Sequence, residues 1–159
     1  MTAFEDRLGT DLVLLRNRRE QNDRDVGRDL ATTADATRGS DLAALAGVEN
    51  VTQALLLRFL TAEGELARLG HPEYGSRLAE LIGEPNTETN RQLAKLHVLR
   101  AVGREPRVEK VLSVSVTQGR ADRGRVDIAL SLQIIDADRP LNLVFPFSFD
   151  PPAEGGAAP

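Results

Sequence analysis

The sequence predicts an α+β fold: two main helices packed on a C-terminal three-stranded antiparallel β-meander, with an extended N-terminal arm ahead of them. Three observations predict it. Apolar residues recur at helical spacing in two stretches, residues 50–69 and 87–101. From Val108 onward the apolar period changes to two. The links between the alternating runs are short and turn-rich, which joins neighbouring strands antiparallel.

Residues 1–40 are polar and read as an arm, with apolar islands at 12–15 and 30–31 that suit short strands. Residues 41–46 form another island, ended by Gly47. Asn50 reads as a helix N-cap, with Gln53 as its capping-box partner. Val51, Leu55 and Phe59 recur at helical spacing, and Ala54, Leu56, Leu57 and Leu60 widen the stripe, which predicts burial on more than one side. Gly64 interrupts this helix, and residues 70–76 form a loop by their glycine and proline punctuation. Leu78, Leu81 and Ile82 mark one side of a short amphipathic piece. Asn86 or Thr87 caps the second helix, with Glu88 in its electropositive first turn. Leu93, Leu96 and Leu99, with Ala94, Val98 and Ala101, line it, and Gly103 stops it.

The three strands follow. Leu112, Val114 and Val116 alternate with Ser113 and Ser115. Val126, Ile128, Leu130, Leu132 and Ile134 alternate with Asp127, Ala129, Ser131 and Gln133, the cleanest strand pattern in the chain. Leu141, Leu143, Phe145, Phe147 and Phe149 form the last run, where three of the five phenylalanines fall. Pro146 has no N–H for a ladder, which places that strand at an edge or a bulge. Residues 41–150 are therefore read as one domain, and the Pro/Gly/Ala-rich residues 151–159 as a disordered tail.

Composition narrows the function. With no cysteine there are no disulfides, thiol nucleophiles or thiolate metal sites, which fits a reducing compartment. No apolar run reaches the ~20 residues of a membrane helix, and the first 22 residues are too charged for a signal peptide, so the expected location is cytoplasmic. A net charge of −4, from 20 basic and 24 acidic residues, gives no case for nucleic acid. The local cluster of Arg16, Arg18 and Arg19 is followed at once by Glu20, Asp23 and Asp25, a solvated mixed-charge pattern.

The sequence carries no recognisable catalytic constellation. His71 in a loop and His97 on a helix lack the spacing of a metal site, and no cofactor motif is present. Glu63, Glu65, Glu73, Glu80, Glu84 and Glu105 could pair for glycoside hydrolysis, but Tyr74 is the only tyrosine and there is no tryptophan to form a sugar platform. The chain is expected not to be an enzyme. Glu105-Pro106-Arg107 lies where the second helix hands over to the first meander strand, and the proline makes it a stiff corner. Two readings stay open: an exit turn with two solvated charges, or a polar anchor for a partner.

Several runs resemble one family: Asn50-Val51-Thr52-Gln53-Ala54-Leu55, Leu60-Thr61, Gly64-Glu65-Leu66, Gly70-His71-Pro72-Glu73-Tyr74-Gly75-Ser76, Glu84-Pro85-Asn86-Thr87-Glu88 and Glu105-Pro106-Arg107. In order and spacing they resemble the lysozyme-like baseplate wedge family of contractile phage tails. That family includes the E subunit of type VI secretion baseplates and the sheath initiators of extracellular contractile injection systems. The likeness spans residues 41–149, roughly two-thirds of the chain, and does not extend to residues 1–40. It implies a structural subunit present in about six copies per particle, made in the cytoplasm and then built into a phage tail or injection particle. It implies that Glu105, Pro106 and Arg107 bind the wedge core-bundle proteins. It also implies that the last strand, with Leu141, Leu143, Val144, Phe145, Phe147 and Phe149, pairs with the sheath protein, with tube or hub proteins of the baseplate as further partners. The alternatives are a peptidoglycan-cleaving enzyme of the same particle and a stand-alone adaptor with the same fold.

Overall fold

A computed structural model describes residues 7–15, 30–35, 39–119 and 122–151. The helix expected to begin after Asn50 begins earlier: α1 spans Gly47–Leu60, with Ala46 as a cap that offers no side-chain hydrogen bond. Asn50 and Gln53 are therefore not caps. Both are buried inside the helix, where their amides hold the N-terminal segment. Val51, Leu55, Leu56 and Phe59 face the core, as their spacing predicts.

Two 3-10 turns, Ala67–Leu69 and Leu78–Leu81, lead to the second helix. At three residues per turn Leu78 and Leu81 share the buried side, while Ile82 has already left the helix in extended backbone and is exposed. Helix α2 spans Glu88–Val102, and the Thr87 side chain accepts from the Asn90 N–H at its start. Its inward stripe differs from the expected leucines. Ala94, His97, Val98, Ala101 and Val102 are buried, whereas Leu93 and Leu96 are exposed. Mostly small side chains on the inner face let the helix lie close against the strand Val108–Gln118.

Strands β5 (Val108–Gln118), β6 (Arg125–Ile134) and β7 (Leu141–Ser148) form an antiparallel sheet in the order β5-β6-β7. Along β6 burial alternates strictly, with Val126, Ile128, Leu130, Leu132 and Ile134 in the core. Along β5 it does not. Register shifts between Val108 and Lys110 and between Val111 and Ser113 each add a residue, so Val108, Val111, Val114 and Val116 share the core side. The second shift turns Leu112 out to solvent, contrary to the plain alternation.

The N-terminal arm carries short strands in two further sheets. β1 (Thr10–Leu12) pairs with β4 (Ala44–Ala46), and β2 (Thr32–Asp35) pairs with β3 (Gly39–Leu42), both antiparallel. Leu8 belongs to the core cluster, and β3 straddles residues 40 and 41, so the described arm packs with the domain it precedes. The basic cluster at Arg16, Arg18 and Arg19 and all but the first residue of the 151–159 tail lie outside the described residues. The fold is α+β, with both helices covering one face of the three-stranded sheet.

Candidate functional site: a charged corner, its cleft and an open sheet edge

The corner forms because α2 ends at Val102 and β5 starts at Val108, and the residues between must turn. The Glu105 N–H donates to Val102 O at 2.9 Å and the Val108 N–H to Glu105 O at 3.0 Å. This turn carries the Glu105 side chain inward, where only 4% of it is exposed. Arg107 grips it from the strand side. Its Nε donates to Glu105 Oε1 at 2.6 Å and its Nη2 to Oε2 at 3.1 Å, a two-pronged pair. From α1, the Arg58 Nη2 lies 3.7 Å from Oε2, and the guanidinium carbon sits 4.6 Å from the Tyr74 ring centre. Burial alone pushes the Glu105 carboxyl up. The Arg107 hydrogen bonds and charge, with the Arg58 charge, outweigh it and hold the group below its ordinary value.

The corner also reaches the N-terminal segment. Arg107 Nη1 and Asn50 Nδ2 both donate to Leu8 O, each at 3.0 Å. About one helical turn further along α1, Gln53 donates to Leu12 O at 2.8 Å and accepts from the N–H groups of Leu14 and Leu15. Hence of the three expected anchor residues, Glu105 and Arg107 are brought together, but Glu105 is internal. Pro106 and the outer part of Arg107 are what the corner presents to solvent.

Beside the corner lies a cleft of about 360 Å³, lined by Arg58, residues 70–74 and Arg104. Arg104 Nη1 is tied to Glu63 Oε1 at 2.6 Å and to Glu73 O at 2.9 Å. The loop forming one wall is locked onto the end of α1. The Ser76 hydroxyl donates to Phe59 O at 3.0 Å, and the Ser76 N–H to Thr61 O at 2.9 Å. Gly75 adopts φ +105°, and a Cβ there would come within 2.7 Å of the Thr61 and Ala62 carbonyl oxygens. Arg58 and Tyr74 were not singled out from sequence as site residues. The available signals were a lone charge inside the apolar run of α1 and the single tyrosine of the chain.

The expected sheath-pairing residues of β7 divide by face. Leu143, Phe145, Phe147 and Phe149 are buried, with Phe145 edge-on to Phe59 at 5.3 Å, while Val144 is 53% exposed. Leu141 is half-buried. Their side chains hold the strand in place; its outer edge is main chain. The Phe149 N–H donates to Gly124 O across the β6 side at 2.9 Å. Since main-chain direction alternates with period two, the groups of Asn142, Val144, Pro146 and Ser148 point away from β6, where no strand pairs among the described residues. Pro146 thus lacks its N–H on the free edge, where no ladder bond is lost.

Among the described residues no group of three or more histidines and acids could hold a metal, and no helix is long and apolar enough to cross a membrane. His97 is buried with its Nδ1 unpartnered, while His71 lies exposed on the cleft loop.

A family model described as baseplate wedge protein gp25 matches residues 46–139. That span exceeds half of the chain. The chain belongs to the baseplate wedge protein family. Membership makes it a structural component of the baseplate of a phage-tail-like particle. The matched span includes α1, the cleft, the corner, β5 and β6, and stops short of β7. Among solved structures, the chain is similar to a presumed tail lysozyme from Geobacter sulfurreducens, at 26% identity and a TM-score of 0.55. That similarity covers 64% of this chain and 89% of the other. No curated protein matches the chain.

Proposed function

We propose that this wedge-family protein is a non-enzymatic subunit of a contractile injection system or phage tail, which binds the wedge core bundle at its charged corner and starts the sheath by strand addition. The observation that carries the reading is the β7 edge. Its outward main-chain groups have no paired strand among the described residues, and the buried Leu143, Phe145 and Phe147, with Phe149 just beyond the strand, anchor it in the core, which is the state a partner strand adds to most readily. The Glu105–Arg107 corner supports the second contact, because Pro106 and the outer face of Arg107 form a stiff polar projection. On this reading the partners are the sheath protein, the wedge core-bundle proteins and neighbouring tube or hub proteins, with six copies per particle.

Removing β7 would be a poor test, since it also removes Phe145, Phe147 and Phe149 from the core. Val144→Pro is better, because it deletes one edge donor and no bond to β6. Sheath assembly scored by electron microscopy should fall sharply with that variant. Full-length sheaths on a folded Val144→Pro protein would sink the strand-addition role.

The name of the Geobacter sulfurreducens relative raises a peptidoglycan hydrolase as the rival. A general acid for glycoside cleavage needs a carboxyl held protonated near neutral pH. Glu105, the one buried acid among the described residues, is shifted the opposite way. Turbidity clearing of purified cell walls, lost on one Glu→Gln change, would reverse this preference.

A further inference from the structure

We propose that the cleft beside the corner binds a carboxylate side chain presented by a partner polypeptide, with the Arg58 guanidinium as its principal ligand. This rests on the wedge-partner reading above and gives that contact its chemistry. Arg58 lines the cleft and its side chain is only 11% exposed. Its Nε–H is buried with no acceptor, and none of its other N–H groups makes a hydrogen bond among the described residues. A guanidinium so far removed from water normally spends its planar fork on acceptors. The nearest acid does not supply them. Both oxygens of Glu105 are taken by Arg107, and the contact to Arg58 is 3.7 Å, beyond hydrogen-bond range.

The charge count points the same way. The one carboxylate within ion-pair distance of Arg58, Glu105, is also the close partner of Arg107, so Arg58 has no counter-ion of its own at contact distance among the described residues. Arg104 adds no free charge, because Glu63 neutralises it. The Tyr74 ring covers one face of Arg58 and orients the plane of its fork. Glu73 lines the same cleft and forms no ion pair with Arg58. It is the internal competitor for an incoming acid. A carboxylate suits the fork better than a carbonyl, because it accepts two bonds at once and supplies the missing charge.

The test is nuclear magnetic resonance of the unaltered full-length protein, with arginine Nε–H groups labelled and Arg58 assigned from its loss in Arg58→Lys. Titration with N-acetyl-glutamate amide should move the Arg58 resonance saturably, with a midpoint on the order of 1–10 mM for so small a probe. N-acetyl-glutamine amide should leave it in place, and Glu73→Gln should tighten the midpoint severalfold by removing the competitor. Equal responses to the two probes would overturn the proposal. So would a glutamate response confined to exposed arginines such as Arg77 and Arg100. If Arg58 is silent while corner variants still lose the wedge partner, the carboxylate site falls and the anchor stands.

Discussion

The corner at residues 105–107 and the edge strand β7 face opposite physical problems. At the corner the chain buries charge. Glu105 lies inside, and two arginines converge on it from α1 and from the start of β5. At β7 the chain buries hydrocarbon and leaves main chain open: Leu143, Phe145 and Phe147, with Phe149 just after the strand, enter the core, while the outward N–H and C=O groups have no strand beside them among the described residues. A buried ion cluster resists change, because removing one member strands the others without a counter-charge. An open edge tolerates change in side chains and responds mainly to the loss of donors. The first contact is therefore tied to folding, and the second can be altered with the fold intact.

Several perturbations sharpen that contrast. Glu105→Ala should have the largest effect, because it leaves Arg58 and Arg107 without their shared counter-ion. We expect a loss of roughly 3–5 kcal/mol, read from urea unfolding followed by circular dichroism. An unchanged urea midpoint would mean that the cluster is not coupled to stability. Phe145→Ala should cost a similar ~3–5 kcal/mol through the cavity left against Phe59. It serves as the measure of what β7 contributes to the core.

Arg107→Ala should come next. Arg58 remains near Glu105, but the Leu8 carbonyl loses one of its two donors and Glu105 loses its close partner. A loss of about 1–3 kcal/mol is expected, with faster amide exchange at Leu8, Gly9 and Thr10. Smaller still is Val144→Pro, with roughly 1 kcal/mol or less of destabilisation but a large loss of sheath assembly. Leu143→Pro, whose main-chain groups face β6, should unfold the strand. If the two prolines behaved alike, the assignment of the free edge would be wrong.

The mildest effect is on pH. Burial, with the nearby Arg77 charge, holds the His97 imidazolium below its ordinary value, so the native state keeps it neutral. The unfolded chain binds that proton first, so stability should decline as pH falls below about 6.5. Glu105 is also held below its ordinary value, here in the charged form, so its contribution is present above about pH 4.5 and lost as pH falls further. The urea midpoint of His97→Gln should lose the first decline and keep the second.

Much of this was legible from the residues. The alternation along β6 predicted its buried face, and Pro146 marked β7 as an edge. The Glu105–Arg107 corner was placed correctly between α2 and β5. What the pattern misplaced has identifiable causes. Asn50 and Gln53 matched a capping box because a polar residue ahead of an apolar run looks the same whether it caps a helix or serves another chain segment. Leu112 was read as inward because a bulge adds a residue that alternation cannot foresee. Of the residues expected to line α2, Ala94, Val98 and Ala101 are buried, but Leu93 and Leu96 are exposed, because the close approach to the sheet favours the small side chains.

Sequence by itself determined the order of elements, the strand faces of β6 and β7, and the family motifs, because these depend on local periodicity and on residue type. Tertiary structure alone decided that Glu105 points inward, that Arg58 and Tyr74 join it, and that Leu8 is held by both α1 and the corner. Those contacts join residues far apart in the chain. No local spacing encodes them, and only the packing of α1, the 70–76 loop and the start of β5 brings one carboxylate within reach of two arginines.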